Sequence, residues 1–399
     1  MINLTKHVII TSILLFAFTS VLLSQTRFPS EKPKLVIGIV VENMRTEYLY
    51  RFKDKFEKNG FNRLMNEGVF CKNASYNYLI TQSAPGITSI VTGCSPSVHG
   101  IVSNFWYNRI TEEFVDCCAD KSQKAIDKSV YSCNYSPKRV LTTSYSDEMK
   151  LMLQNKSKVI AVSPEYQSAI LLGNHAADNV YWFDIKSGNW ITNSYYTNET
   201  QEWVNKFNLN NLPDIYMQKE WNTILPIDEY TESLTDKNKF EIGFYNKTTF
   251  PYKLEKLWDK TNDYSLLMQT PFGNSITKDF VIEVINNNNL GKDNSPDVLL
   301  VSFSAFAEIE KLFGTKSIEI EDAYLRFDKE LAHLFNYIDS EIGRQNVVVY
   351  LTSDGNGTPN TKYLASNKIP VNIFDAEKST VLLKAYMNAV YGPGDWISK

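Results

Sequence analysis

Lys34 to Val41 reads KLVIGIVV. It is a nearly unbroken apolar run rich in Val and Ile, the signature of a strand buried on both faces. Two later runs have the same texture, Asp297–Phe303 (DVLLVSF) and Asn346–Leu351 (NVVVYL). Each runs into a loop of polar or small residues. In open parallel sheets chemistry gathers at the carboxyl ends of such strands, so these loops are the first places to look for function.

Between the strands the period changes. From Ile318 to Ile342, apolar residues recur at Tyr324, Phe327, Leu331, Leu334 and Ile338. Spacings of three and four describe one buried helix face. Phe61–Glu67 reads as a shorter helix closed by Gly68 as a C′ residue. Strands alternating with helices predict a layered α/β fold. Residues 176–290 are rich in Asn, Trp and Tyr with little clean periodicity, and read as insertions forming a peripheral lobe.

The 399-residue length suits one sizeable α/β domain or two smaller ones. A net charge of −4 gives no basic face for nucleic acid or an anionic membrane. Residues 1–24 read as a secretory signal peptide. Lys6 and His7 precede an apolar stretch from Val8 to Leu23 that is short for a membrane span. Cleavage would remove Lys6 and take the charge to −5. The expected location is exported, periplasmic or extracellular, with no stable membrane span left in the mature chain. Five cysteines follow: Cys71, Cys94, Cys117, Cys118 and Cys133. Export permits disulfides, and the last three could form one local bridge of unassigned connectivity. No CxxC pattern offers a thiolate zinc site.

Four loops carry chemistry-bearing residues. Glu42 follows the first strand, where a carboxylate suits a metal, although lone carboxylates are usually solvated. Ser83 precedes a helical stretch; it reads as a nucleophile facing a helix N-terminus or as an ordinary capping hydroxyl. Glu308, Glu310 and Lys311 in SAFAEIEK read as solvated charges at a helix entry. Asp354 ends the third strand in TSDGNG, a ligand position or an ordinary Asp-Gly turn. His99 reads as a loop-orienting residue, and His175 and His333 stand apart from it.

At these loops the chain resembles the alkaline phosphatase superfamily, specifically secreted bacterial monoesterases close to the nucleotide pyrophosphatase/phosphodiesterase branch. KPKLVIGIVVENMRTEYLYRF, GFNRLMNEGVFCKNASYNYL, TSIVTGCSPSVHGIVSN, NVYWFDIKSGNWITNSYY, SIEIEDAYLRFDKELA and YLASNKIP carry the likeness from residue 34 onward. It implies a three-layer α/β sandwich over residues 34–399, with a mostly parallel central sheet, helices on both faces and peripheral insertions. It also implies two zinc ions clamping a phosphoryl group, one of them activating a Thr or Ser nucleophile. Ser83 matches the nucleophile and Asn104 a phosphate-positioning residue.

Other matched positions have changed type. Glu42 stands where an Asp is expected, Ala307 and Lys311 where D-x-x-x-H is expected, and Asp354-Gly355 where Asp-His is expected. Glu165 and Gln167 fall where a Lys and an Arg would grip phosphate oxygens. The family pattern continues past residue 399 to a last histidine ligand, so the chain reads as truncated late, by nature or through a broken gene. The expectation is a catalytically inactive homologue with a binding or scaffold role and no cofactor. The alternative is a residual phosphoric ester hydrolase using Ser83, with one divalent cation (Zn, Mg or Mn) on Glu42 and Asp354 and with Lys311 replacing a lost zinc charge. The expected partner is a phosphorylated small molecule, not a nucleic acid.

Overall fold

The computed structural model describes residues 32–79, 81–126, 133–355 and 357–397. The signal-peptide reading of residues 1–24 lies outside them. Strands in chain order are β1 (Leu35–Val41), β2 (Phe105–Asn108), β3 (Glu113–Asp116), β4 (Val159–Ser163), β5 (Asn179–Asp184), β6 (Asn189–Ile191), β7 (Glu220–Trp221), β8 (Tyr252–Lys253), β9 (Asp297–Phe303) and β10 (Val347–Thr352). The helices that frame the site are α1 (Phe61–Glu67), α2 (Ser83–Thr92), α3 (Tyr166–Gly173), α4 (Pro271–Asn287), α5 (Ala305–Phe313), α6 (Ile318–Glu341) and α7 (Ala376–Tyr391).

Among the described residues the main sheet has six strands in the order β10-β1-β9-β4-β5-β6, parallel throughout except for the β5–β6 pair. Side chains alternate across it with period two. Ile37, Ile39, Leu299, Val301, Ile160 and Val162 face α4 and α6 in one apolar layer. Val40, Val298, Leu300, Val159 and Ala161 face α2 and α3 in the other. Helices on both faces of a mostly parallel sheet give the three-layer sandwich expected.

Several sequence expectations change. β10 is not buried on both faces: it forms an edge of the sheet, and Val348 is 50% exposed. Val347, Val349 and Leu351 pack on one apolar layer, while on the other side Tyr350 packs on the second layer and Val348 faces solvent. Residues 176–290 are only partly peripheral. They supply β5, a strand of the main sheet, and α4, whose inner face is core. Their aromatic richness hides periodicity because the rings pack on one another. Phe280 of α4 stacks on Trp190 at 4.4 Å, with Tyr181, Trp203 and Phe207 around it. Gly68 closes α1 without the left-handed backbone of a C′ glycine, at φ −102°. The Cys117 and Cys118 thiols are not bridged to each other and lie 3.7 Å apart. No helix of the described residues is long and apolar enough to cross a membrane.

His99 holds the loop after α2, as expected, with both ring nitrogens engaged within the protein. Its Nδ1 accepts the Ile101 N–H at 3.2 Å, so Nε2 carries the proton and donates to Ser89 Oγ at 3.0 Å. Burial pushes the imidazole down to about 4.

Two outcomes follow. Phe280→Ala should cost about 3–5 kcal/mol in a urea titration, since it opens a cavity among four rings. His99 is neutral when folded and takes a proton near pH 6.5 when unfolded. Its contribution is therefore present above pH 6.5 and lost as pH falls toward 4, at up to about 1.4 kcal/mol per pH unit. His99→Gln should remove that part of the slope, read as the wild-type minus variant stability between pH 4 and 7.

Candidate functional site

The chain leaves β1 through Glu42, whose N–H is held by Phe303 O at 3.1 Å. Asn43 then takes a left-handed turn at φ 58°. This folds the Glu42 side chain back over the carboxyl end of the sheet, where it is 3% exposed. Its Oε1 accepts hydroxyls from Ser168 of α3 and Ser302 of β9, both at 2.7 Å. Its Oε2 accepts Ser83 Oγ at 3.2 Å. Asp354, just past β10, is 1% exposed and its Oδ1 accepts the Asn43 N–H at 2.8 Å. Three of the loops singled out from sequence therefore converge on one point. Asp354 lies where it does because Gly86 of α2 leaves room: a Cβ there would stand 2.0 Å from Asp354 O.

Two acids buried this close resist ionisation. Burial first, and then the Asp354 charge, push Glu42 up to about 8, against the pull of the Ser168 and Ser302 hydroxyls. Burial also raises Asp354, against hydrogen bonds from Ser83 and the Asn43 N–H.

Ser83 opens α2. Gln82, at the N-cap, makes no side-chain cap bond to the helix. Its Oε1 instead accepts Ser103 Oγ at 2.6 Å and the Asn104 N–H at 2.9 Å. Asn104 Oδ1 in turn accepts the Ala84 N–H at 2.9 Å. Of the N–H groups at this helix start, that of Ala84 is spent on Asn104, Pro85 has none and that of Gly86 bonds Gln82 O, which leaves the Ser83 N–H at the positive end of the helix, where negative charge is favoured.

The other half of the cleft lacks the D-x-x-x-H pair that the resemblance implied. Ala307 offers a methyl group. Lys311 is 72% exposed on its side chain and pairs at 3.7 Å with Glu308, so it does not stand in for a zinc charge. At Gly355 a Cβ would stand 3.1 Å from Thr81 O. Glu165 opens to the cleft at the start of α3, yet it is ringed by protein; burial, then the Glu308 carboxylate, raise it. Gln167 donates to Asn104 O at 3.2 Å and Asp116 Oδ2 at 3.1 Å, so its amide braces the loop. The cleft collects Glu42, Asp354, Glu165 and Glu308. A hard cation fits Glu42, Asp354 and Ser83, which are all oxygen donors, and a dication would relieve the repulsion between the two acids.

Sequence reasoning missed Ser168 and Ser302. The signal was there for Ser302, a hydroxyl in a strand whose every residue is buried, since a buried polar group implies a partner. It also misplaced Glu310, which is buried and not solvated: Tyr48 OH donates to it at 3.4 Å, and burial raises it to about 7 although Arg45 pulls the other way. Asp116, Cys117 and Cys118 bring three ligand atoms within 4.8 Å of one another. Asp116 is already taken by Tyr166, Gln167 and the Cys118 N–H, and burial raises the Cys118 thiol well above its ordinary value. That group does not suit a thiolate metal site.

The model of the type I phosphodiesterase / nucleotide pyrophosphatase family matches residues 36–392. Alkaline phosphatase PhoV of Synechococcus elongatus is 39% identical over 341 residues, covering 85% of this chain and 62% of that protein. Alkaline phosphatase PafA of Elizabethkingia meningoseptica is 36% identical over 365 residues, covering 90% and 65%. The chain thus spans just under two thirds of the length of both. The crystal structure of PafA superposes with a TM-score of 0.88 at 36% identity, over 92% of this chain and 71% of that one. On the match across its length, the chain belongs to the type I phosphodiesterase / nucleotide pyrophosphatase family, within the alkaline phosphatase superfamily.

Proposed function

We propose that this chain is an exported, catalytically degenerate member of its family that binds a ligand at the vestigial cleft and does not turn over phosphate esters. The observation that carries the reading is the charge of the cleft. Glu42 and Asp354 lie buried together, Glu165 and Glu308 add to them, and the nearby Lys311 points to solvent. Two-metal phosphoryl transfer needs paired dications to stabilise attacking and leaving oxygens. Ala307 and Lys311 give a second ion nothing to hold. A phosphate dianion meets carboxylates where charge-assisted hydrogen bonds would be wanted.

A second reading, a residual one-metal hydrolase, rests on one contact, Ser83 Oγ at 3.2 Å from Glu42 Oε2 at the start of α2. A divalent cation on Glu42, Asp354 and Ser83 would lower the pKa of the hydroxyl and neutralise the two acids. A phosphorylated small molecule would then enter together with its cation.

Aryl phosphate monoesters and diesters, with Zn²⁺, Mg²⁺ or Mn²⁺ added in turn, separate the two. The expected outcome is turnover no higher than in buffer, unchanged by Ser83→Ala. Metal-dependent turnover that Ser83→Ala lowers about 100-fold or more, with bound metal lost in Asp354→Ala, would establish the hydrolase.

A further inference from the structure

Glu310 is a buried acid that neither reading of the cleft uses. It lies on the face of α5 that otherwise buries Ala305, Phe306, Ile309 and Phe313. A carboxylate in that company costs its desolvation and needs a return. The return comes from the loop after β10. Gly357 rests directly on the acid: a Cβ there would collide with both Glu310 carboxylate oxygens. The Thr358 N–H bonds to the same carboxylate, Tyr48 OH donates to it at 3.4 Å, and the Arg45 charge favours its ionised form.

The loop after β1 holds Gly357 as well. Gly357 N–H donates to Asn43 O at 3.1 Å, and Arg45 Nη1 donates to Gly357 O at 2.5 Å. Asn43 is also the residue whose N–H fixes Asp354 Oδ1 at 2.8 Å. Asn43 therefore grips the loop twice, at Asp354 with its N–H and at Gly357 with its carbonyl. The two loops make a clasp, and Glu310 is the floor under it.

We propose that Glu310 is a positioning residue for the cleft: its carboxylate seats Gly357 and steadies Arg45, so that Asn43 keeps Asp354 beside Glu42. The proposal rests on the reading of Glu42, Asp354 and Ser83 as the oxygen donors for a cation. Glu310 touches no ligand itself and acts through Arg45 and Gly357. Remove the acid and Arg45 loses a counter-charge while Gly357 and Thr358 lose their seat. Gly355 and Gly357 then give the loop the backbone freedom to leave, and Asp354 leaves with it.

The test uses the full chain stripped with a chelator, with Mn²⁺ as the probe, its free form followed by paramagnetic resonance. Glu310→Ala should weaken Mn²⁺ binding about 10-fold or more, the scale for a residue that orients a metal ligand from behind, and Glu310→Gln, which keeps the shape and an acceptor for Thr358, should restore most of it. Gly357→Ala should weaken Mn²⁺ in the wild-type background and cost little more in Glu310→Ala, because the two changes share one contact. If the alanine variant does not fold, Glu310→Leu fills the space without an acceptor and should show the same loss of affinity. A Glu310→Ala or Glu310→Leu protein with a lower unfolding midpoint but wild-type Mn²⁺ affinity would overturn the proposal, leaving Glu310 a packing residue. So would additive effects of Glu310→Ala and Gly357→Ala. Wild-type protein that binds no Mn²⁺ sinks the cation reading of the cleft instead. Amide exchange without metal then decides for Glu310: peptides containing Asn43 and Gly357 should exchange several-fold faster in Glu310→Ala, and unchanged protection there refutes the clasp.

Discussion

The cleft depends on one carboxylate turned back over the end of the sheet. Glu42 can be buried there only because hydroxyls from three separate elements, Ser83, Ser168 and Ser302, reach its two oxygens. Those bonds bring α2, α3 and β9 to one point, and the Asp354–Asn43 bond brings in the loop after β10. A carboxylate held by neutral donors is not neutralised by them. It is oriented and desolvated, and its ionisation is opposed by the second acid beside it. Oxygen donors are thus gathered in the half of the cleft that the loops after β1 and β10 build with the start of α2.

Much of this was legible because it rests on patterns that survive local variation. The run from Asp297 to Phe303 is a strand at those bounds, and α6 begins at Ile318 as its periodicity required. β10 misled because an apolar run reports burial in general and does not say which side of a sheet is covered. Residues 176–290 misled for a different reason. Aromatic rings reach sideways, so the Trp190–Phe280 stack is made by residues far apart in sequence and follows no short period. In the cleft, the residues at strand ends were legible. Ser168 and Glu310 were not, because a single hydroxyl or acid on a helix looks solvated until the partner it needs is placed next to it.

Two buried acidic pairs show what separates function from structure in this fold. Glu42 and Asp354 are repulsive but every bond to them comes from an element that borders the cleft. Glu241 and Glu319 lie outside that set of contacts, Glu319 in the first turn of α6 and Glu241 just before the Ile242 and Gly243 N–H groups that donate to Leu312 O of α5. Their neighbours Glu321 and Asp322 show that the chain can compensate buried acids on that helix with Lys55 and Arg326.

The cleft itself pulls two ways on whatever enters it. The start of α2, with Ser83 at its first position, is the positive end of the helix and favours an anion. Glu42, Asp354 and Glu165 favour a cation. A bare phosphate satisfies only the helix, and a bare amine satisfies only the acids. A divalent ion carrying an anionic group satisfies both, because its charge is spent on the carboxylates while the anion it brings lies against the helix. On the proposed reading, the lack of a metal ligand at Ala307 and Lys311 does not disturb that arrangement, since it removes an ion from the far side of the anion. What it removes is the second positive charge that a pentavalent phosphorus would need. On the proposed reading, binding and catalysis separate at this pair of positions: the oxygen donors that would orient a ligand remain, and the groups that would hold a second ion do not.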